Sequence, residues 1–527
     1  MLTPELIQAV GQHSESMTRD VTLVLQTGQY EQREDLEQFL SQLATASPRI
    51  AFEQRDLQLR SALSFGLEAD GQSTGIVFSG IPGGHEFSSL VLAILNAGGV
   101  APKLDDSVVA IVRNVQAPLQ FETVVSLSCH NCPDVVQTLN QFAAINPSIS
   151  AEMIDGGLYP DLIEERNIQG VPAVFLNGEP FANGKIDTAV ILQKLMERFP
   201  PSVDSQSTRE ADLPLQDVTV VGGGPAGVSA AIYAARKGLA VTLVAERLGG
   251  QVKDTMGIEN LISIPSTVGP DVVNGLQAHL QDYDITLKEH LRVEQIDPGA
   301  IKTVQLSSGE SIRTRSVIVA TGANWRELGV PGERENIGNG VAYCPHCDGP
   351  FFKGRDVAVI GGGNSGIEAA IDLSGIVGSV TVIEFLPELK ADQVLVDQAM
   401  ARDNIRIVTN AATQAINADN GKVTGLTYQD RESEDLVDVD VAGVFVQIGL
   451  VPNSQFLDGV VDQEPWGEII INDKGETSEP GIFACGDVTT VPYKQIVIAL
   501  GEGSKAALTA FEYLVMNPVE DTRDKAA

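Results

Sequence analysis

The chain has 527 residues, enough for three or four domains, and its 43% hydrophobic content and 51 glycines are typical of packed α/β units. Its formal net charge of −35 argues against nucleic acid or an anionic membrane as a partner, because phosphate binding needs clustered Lys and Arg. No apolar run reaches the ~18 residues of a membrane span. Residues 1–20 lack a secretory signal, so we expect a cytoplasmic protein.

Cysteine usage points to redox chemistry or metal binding. Four of the five cysteines form two Cys-x-x-Cys pairs, Cys129 with Cys132 and Cys344 with Cys347. Structural disulfides are rare in a cytoplasmic protein, so the pairs favour redox activity. Zinc is the alternative for these pairs, but they lie in different folding contexts, and we expect no metal.

A doubled unit is predicted in residues 1–200, with one copy in 1–100 and the second in 101–200. The second copy has Cys129-x-x-Cys132 between a strand and a helix, and Val171-Pro172 directly before a later strand. This order resembles the thioredoxin fold, in which Pro172 would be a cis-proline. Its predicted elements are strands at 121–127, 149–154 and 173–176, a helix opened by Cys129-x-x-Cys132 and running to about 144, a short helix after 154, and a final helix at 188–198.

The first copy carries Gln26-Thr27-Gly28-Gln29 where the cysteines would be, so it cannot exchange disulfides. In the second copy, a helix amino terminus presents unpaired N–H groups and a partial positive charge, which lower a thiol pKa. We therefore expect Cys129 to be the nucleophile and Cys132 to resolve a mixed disulfide. A polar segment, 201–213, is predicted to be a linker.

The first glycine-rich loop follows a predicted strand at 217–221 and precedes a predicted helix at 229–237. One glycine permits a tight turn, one lets the backbone approach a pyrophosphate, and one allows close helix packing. Glu246, at the end of the next strand, can accept a hydrogen bond from a ribose hydroxyl. The loop residues are Gly222, Gly223, Gly224, Pro225, Ala226 and Gly227.

The same pattern repeats after a predicted strand at 356–360, and the next strand, 379–383, ends at Glu384. Two such units in one enzyme favour FAD at one and a nicotinamide at the other. Glu384 would bond the 2′-hydroxyl of NADH and repel the 2′-phosphate of NADPH, and residues 385–388 offer no Arg for that phosphate. The loop residues are Gly361, Gly362, Gly363, Asn364, Ser365 and Gly366.

Two further segments fit a flavin site. A strand at 317–320 ends in Thr321-Gly322, and the segment 481–487 repeats that design and ends in Gly486-Asp487. Gly486 would form the small-residue turn beside the flavin, and Asp487 could hold the ribityl chain. Cys485, within the second segment, is expected to be a buried inert thiol, with an oxidisable thiol near the flavin as the alternative.

The carboxy-terminal half resembles the low-molecular-weight thioredoxin reductases, and the whole chain resembles the flavoprotein subunits of bacterial alkyl hydroperoxide reductases. The motifs that carry the resemblance are 128–134, 343–350 and 491–495. It implies tandem thioredoxin-like folds followed by two Rossmann-like domains of the thioredoxin reductase type, in the α/β class. The implied FAD-binding domain spans 214–330 and 453–527, and the NADH-binding domain spans 331–452.

The resemblance also implies a homodimer that passes electrons from NADH to FAD, then to Cys347 with Cys344, then to Cys129 with Cys132, and finally to a two-cysteine peroxiredoxin. Glu86, His346 and Asp348 are candidates for proton transfer, with helix-start charges and a surface ring as the alternatives. The remaining residues assigned to the flavin site are Gln251, Asn260, Lys494 and Gln495.

Three other functions remain open from sequence. A thioredoxin reductase would share the second half but would not need the doubled module. A hydrogen-peroxide-forming NADH oxidase would need neither cysteine pair. A redox sensor that binds FAD would use its dithiols as a switch and would not turn over NADH with a peroxiredoxin.

Overall fold

The computed structural model describes residues 2–129, 132–166, 168, 171–183, 186–199, 209–211, 213–255, 258–337, 339–343, 345–419 and 422–519. The chain forms two compact units. One comprises Met1–Arg209 with the short segments Lys288–Arg292 and Leu306–Ser311, and the other comprises the remainder of the chain. Most of the predicted linker at 201–213 lies outside the described residues.

The first unit is built on one continuous eight-stranded sheet in the order β2-β1-β3-β4-β6-β5-β7-β8. Its strands are β1 (Val21–Gln26), β2 (Ile50–Arg55), β3 (Ser64–Ala69), β4 (Gln72–Ser79), β5 (Leu119–Val125), β6 (Ile149–Asp155), β7 (Ala173–Leu176) and β8 (Glu179–Asn183). Its helices are α1 (Pro4–Ser14), α2 (Arg33–Ala44), α3 (Phe87–Ala97), α4 (Asp106–Arg113), α5 (Cys132–Ile145), α6 (Pro160–Glu165) and α7 (Thr188–Arg198).

The predicted duplication is visible in the strand pairing. β1 pairs parallel with β2 and antiparallel with β3, while β5 pairs parallel with β6 and antiparallel with β7. The two copies join where β4 pairs parallel with β6, with Ile76 opposite Ala151. The joint removes one exposed sheet edge from each copy, and exposed edges are sites of unwanted pairing. The thioredoxin-like fold class is confirmed.

The second unit contains two larger sheets. The first has the order β12-β11-β10-β15-β14-β13, with β26 also paired to β15, and the second has the order β17-β24-β18-β19-β20. A three-stranded antiparallel sheet, β21-β22-β23, and a two-stranded pair, β16-β25, complete it.

Strand bounds after β8 are β9 (Arg209–Glu210), β10 (Gln216–Val221), β11 (Val241–Ala245), β12 (Ile285–Glu289), β13 (Val293–Asp297), β14 (Lys302–Leu306), β15 (Glu310–Val319), β16 (Ala323–Trp325), β17 (Val341–Ala342), β18 (Asp356–Ile360), β19 (Ser379–Ile383), β20 (Ile405–Val408), β21 (Ala411–Asp419), β22 (Lys422–Asp430), β23 (Leu436–Asp440), β24 (Gly443–Val446), β25 (Leu450–Pro452) and β26 (Ile482–Ala484). The helices are α8 (Pro225–Ala235), α9 (Gly269–Gln281), α10 (Pro345–Asp348), α11 (Asn364–Ser374), α12 (Gln393–Met400) and α13 (Ile496–Met516).

Each of these two larger sheets has its own core. The central strands β10 and β18 are buried along nearly their whole length, as expected for strands covered on both faces. α8 and the last helix, α13, pack on the first sheet, and α11 packs on the second. The Rossmann-like prediction for this half is confirmed.

One predicted helix was placed wrongly. We expected helix only from residue 229, but α8 begins at Pro225, inside the glycine motif. Gly224 is the extended amino-terminal cap and Pro225 occupies the first helical turn, where its missing N–H costs nothing. The early start directs the free N–H groups of the helix at the loop. No helix among the described residues is long and apolar enough to cross a bilayer.

Candidate active site

The dithiol of the first unit lies where β5 leads into α5. Cys129 and Cys132 form a disulfide, with Cys132 fully buried and Cys129 half-buried. The backbone N–H of Cys132 points at Cys129 Sγ over 3.2 Å, and the carbonyl of Val171 lies 3.9 Å from the same sulfur. The Val171–Pro172 bond is cis, which confirms the expectation for Pro172.

The turn that carries Glu86 contacts the chain segment that leads into this dithiol. Glu86 ends a short 3-10 turn, Gly84–Glu86, in which the N–H of His85 donates to the carbonyl of Leu127 at 3.3 Å, two residues before Cys129. The Glu86 side chain is fully buried. Burial raises the pKa of Glu86 to about 7, with a weaker opposing effect of the nearby Ser89. Within the described part of the chain neither carboxylate oxygen has a hydrogen-bond partner. A carboxyl that titrates near neutral pH can both donate and accept a proton.

The glycines of the first glycine-rich loop have the steric surroundings expected of them. Gly222 has a φ of +113°, and a Cβ there would meet the carbonyl of Ala320. A Cβ at Gly227 would lie 1.8 Å from the Gly222 carbonyl oxygen, so this glycine lets α8 pack on the loop. A Cβ at Gly224 would meet no protein atom within 4 Å. The space beside Gly224 is therefore open to a ligand, and Glu246 follows β11 at the same edge.

The second loop repeats these roles. Gly361 has a φ of +121°, a Cβ at Gly366 would lie 1.9 Å from the Gly361 oxygen, and a Cβ at Gly363 would meet nothing. Glu384 is 8% exposed, and its carboxylate accepts hydrogen bonds from the backbone N–H groups of Gly362 and Leu386. The acid at the end of β19 is thus held against the glycine loop, where a ribose hydroxyl would be read.

Other residues predicted for the flavin site lie at the carboxyl edge of the first sheet. β15 pairs parallel with both β10 and β26, so Thr321 and Asp487 follow neighbouring strands close to Gly222. Thr321 Oγ1 donates to the carbonyl of Asn453 at 2.6 Å. Burial raises the pKa of Asp487, and the charge of Lys494 partly opposes this.

Two glycines that the sequence assigned to the flavin site let the chain turn at this edge. Gly322, with a φ of +69°, lets the chain turn after β15. Gly486 is buried, has a φ of +73° and begins the 3-10 turn Gly486–Val488 that carries Asp487. A Cβ at Gly486 would lie 2.9 Å from the Cβ of Ala226 in α8. The absence of a side chain at Gly486 therefore lets the Asp487 turn lie against the first helix of the nucleotide motif.

Two side-chain contacts complete the same edge. Asn260 Nδ2 donates to Gln495 Oε1 at 3.0 Å, and Gln251 donates to the carbonyl of Ala323. These bonds tie segments that are far apart in sequence to the end of the first sheet.

The second cysteine pair falls largely outside the described residues. Cys344 is outside them, and for His346 and Cys347 only the backbone of α10 is described. Asp348 ends that helix. Directly before it, Tyr343 donates its hydroxyl to Glu333 at 2.9 Å, and the buried Glu333 carboxylate also accepts from the N–H groups of Leu328 and Gly329.

Cys485 is fully buried, and burial raises the pKa of its thiol to about 12. A thiol that hardly ionises is a poor nucleophile, which favours the inert role over the oxidisable one. Among the described residues no cluster of three His, Cys, Asp or Glu side chains could hold a metal ion.

Two residues near these sites were not predicted from sequence. Glu333 lies in Val330-Pro331-Gly332-Glu333. Nothing in this segment indicates that its carboxylate is buried and hydrogen-bonded. Arg431, 46 residues from Phe385, donates to the Phe385 carbonyl in the loop that follows β19. Only the folded chain brings this cation to a loop in which the sequence shows no Arg.

Comparison with known proteins agrees with this geometry. A family model described as pyridine nucleotide-disulphide oxidoreductase matches residues 216–503, and a thioredoxin domain model matches residues 121–197. The chain is 46% identical to a Ferdinandcohnia aciditolerans protein named NADH dehydrogenase over 527 residues, which cover 100% of each chain. It is 51% identical to the F subunit of alkyl hydroperoxide reductase of Pseudomonas aeruginosa over 456 residues, which cover 86% of this chain and 87% of that protein.

A solved structure is similar to the second half. The thioredoxin reductase from Streptococcus pyogenes is 34% identical, with a TM-score of 0.54, and the match covers 57% of this chain and 99% of that one. The remaining part of this chain includes the doubled thioredoxin-like module.

Proposed function

The chain belongs to the pyridine nucleotide-disulphide oxidoreductases, among the F subunits of alkyl hydroperoxide reductases, and we propose that it is an NADH-dependent reductase of a two-cysteine peroxiredoxin. It is a flavin-dependent disulfide oxidoreductase with a thioredoxin-like module. Beyond this family membership, we propose which cofactors the chain binds, which protein accepts its electrons and in which order the two cysteine pairs carry them.

FAD is proposed for the first loop and NADH for the second. The open space at Gly224 and Gly363 supports a pyrophosphate at each loop, because a backbone without Cβ can approach the phosphates there. Glu384 supports NADH, since its held carboxylate would repel a 2′-phosphate. When bound, the two cofactors together supply hydride transfer and a two-electron reductant for a disulfide.

The observation that carries the acceptor is the Cys129–Cys132 disulfide at the amino terminus of α5. It lies in a thioredoxin-like fold that the thioredoxin reductase match does not include, in a chain that aligns over most of its length with an F subunit of alkyl hydroperoxide reductase. A reductase that acted directly on a free partner would not need this second dithiol. We infer that Cys129 and Cys132 carry electrons to the disulfide of the peroxiredoxin.

Each cysteine has its own role in the proposed disulfide exchange. We propose that Cys347 lies nearest the flavin and that Cys344 attacks the Cys129–Cys132 disulfide, so that one dithiol becomes a disulfide as the other is reduced. Cys129 next attacks the partner disulfide and Cys132 resolves the mixed disulfide. Glu86 is proposed to move a proton at the amino-terminal pair, and His346 or Asp348 at the other pair. A homodimer and a cytoplasmic location complete the proposal.

The test is NADH consumption by the full chain with a purified two-cysteine peroxiredoxin and an organic peroxide. We expect rapid turnover that requires all three components and that Cys129→Ser abolishes. The matched control is Cys485→Ala, which removes a buried thiol outside the path and should turn over like wild type. Turnover that survives Cys129→Ser would contradict the proposed acceptor.

A second candidate function is NADH oxidation by oxygen at the flavin, because a relative that aligns over the whole chain is named NADH dehydrogenase. This activity would need neither dithiol. The same assay separates the two: oxygen-dependent NADH oxidation without peroxiredoxin, unchanged by Cys129→Ser and as fast as the coupled rate, would favour the oxidase.

A further inference from the structure

Arg431 lies against the loop that follows β19. It begins the turn after β22, and its backbone N–H donates to the carbonyl of Asn410 at 2.9 Å. The N–H of Asn410 in turn donates to the carbonyl of Leu386 at 2.8 Å. The antiparallel sheet β21-β22-β23 is therefore tied by backbone hydrogen bonds to the loop that follows β19.

The side chain of Arg431 covers one face of an aromatic ring. Its guanidinium carbon lies 4.0 Å from the centroid of the Phe385 ring, and Nη1 donates to the Phe385 carbonyl at 2.9 Å. A second, longer bond of 3.4 Å reaches Asn410 Oδ1. Phe385 is nevertheless 54% exposed. With a cation on one face and about half of its surface exposed, such a ring can offer its other face to a flat ligand.

Phe385 directly follows Glu384, whose carboxylate is bound to the N–H groups of Gly362 and Leu386. The ring therefore lies at the ribose end of the proposed dinucleotide site. The contact of Arg431 with one of its faces fixes its orientation. Arg431 thus contacts Phe385, and the neighbouring Glu384 contacts Gly362 of the glycine loop.

We propose that Arg431 is a positioning and specificity-determining residue for the adenosine half of the dinucleotide. It holds Phe385 as a platform on which the adenine stacks while Glu384 binds the ribose. Base stacking on an aromatic ring supplies affinity with little dependence on hydrogen bonding. The cation also offsets the negative potential of a chain with net charge −35 toward an anionic nucleotide. This inference rests on the proposed function, in which the second loop binds NADH.

The test uses ADP-ribose, which carries the adenosine and pyrophosphate but no nicotinamide, titrated calorimetrically into the flavin-loaded full chain. The variants are Arg431→Met, Phe385→Leu and their combination. Arg406→Met is the matched control, because it removes an exposed arginine from β20 of the same domain. We expect each single variant to weaken ADP-ribose binding about tenfold. The double variant should bind ADP-ribose with the same affinity as the weaker-binding single variant, because both substitutions disrupt one stacking platform.

A second ligand separates positioning from general damage. Nicotinamide mononucleotide lacks the adenosine, so Arg431→Met should lower the selectivity for ADP-ribose over nicotinamide mononucleotide by about the same tenfold factor. The inference would be overturned if Arg431→Met weakened the binding of both ligands equally, or if it bound ADP-ribose with wild-type affinity. It would also be overturned if the losses of ADP-ribose affinity in the two single variants multiplied in the double variant. Failure of the wild-type chain to bind ADP-ribose would instead overturn the assignment of the second loop to NADH, and this inference with it.

Discussion

The backbone N–H of Cys132 lies 3.2 Å from the sulfur of Cys129. In the reduced protein this N–H, at the amino terminus of α5, would donate to a Cys129 thiolate and lower the pKa of that thiol.

We therefore predict that Cys129 is alkylated by iodoacetamide with a pH midpoint below the ~8.5 of an unperturbed thiol. The fragment 1–200 suits the measurement, because its only cysteines are Cys129 and Cys132. Cys132 is buried and should react far more slowly, which mass spectrometry of the alkylated fragment would show. Preferential labelling of Cys132 would reverse the assigned roles.

Glu86→Gln should change the pH dependence of stability in that fragment. Burial raises the folded pKa of Glu86 from 4.5 to about 7, so the folded state holds a proton that the unfolded state has lost. Stability from this group therefore falls as pH rises from 4.5 to 7. We expect Glu86→Gln to be more stable than wild type by up to about 3 kcal/mol at pH 8 and nearly equal to it near pH 4.5.

Urea unfolding at both pH values measures this difference. Glu34→Gln, at an exposed position on α2, is the control and should show no such difference. An equal effect of Glu86→Gln at both pH values would mean that Glu86 does not titrate in this window.

Elements whose signals are local were predictable from sequence. β18 and β19 match their predicted bounds because each is a short apolar run that ends at a glycine loop or an acid. The start of α8 was missed because the motif was interpreted as a loop, although Pro225 is favourable in a first helical turn. Arg431 acts through Phe385, 46 residues away in sequence, so no local pattern reveals it. Glu333 bonds groups four to ten residues away, but the sequence does not show that these groups are buried together.

Glu384 should set the choice of nicotinamide. We predict a kcat/KM for NADH at least ~10-fold above that for NADPH, or about 1.4 kcal/mol. Glu384→Gln keeps the shape of the side chain but removes the charge that repels the 2′-phosphate, so the ratio should fall toward one. Glu388→Gln, in the same loop but exposed, should keep the wild-type ratio. Equal rates with both nucleotides in the wild-type enzyme would contradict the assigned role.

Two glycines of the first loop should respond in opposite ways to alanine. Gly227→Ala places a Cβ 1.8 Å from the Gly222 oxygen, and we expect this clash to outweigh the helix-propensity gain and cost about 1–3 kcal/mol of stability without flavin. Gly224→Ala meets no protein atom and should leave that stability unchanged while weakening FAD binding. Thermal unfolding of flavin-free protein, with FAD titration, checks both.

The second loop offers an internal replicate of this experiment. Gly366→Ala should behave like Gly227→Ala, and Gly363→Ala should weaken nucleotide binding without loss of stability. Normal FAD binding by a stable Gly224→Ala variant would place the pyrophosphate elsewhere.

The central claim is that the amino-terminal dithiol is an obligatory carrier between the flavoprotein half and the peroxiredoxin. The decisive measurement is peroxiredoxin-coupled NADH oxidation by fragments 1–200 and 214–527, assayed singly and together. Fragment 214–527 alone should oxidise NADH slowly and fail to reduce peroxiredoxin. Adding fragment 1–200 toward the roughly millimolar effective concentration of a tethered module should restore coupling, whereas the same fragment with Cys129→Ser should not. Full-rate peroxiredoxin reduction by 214–527 alone would contradict the account.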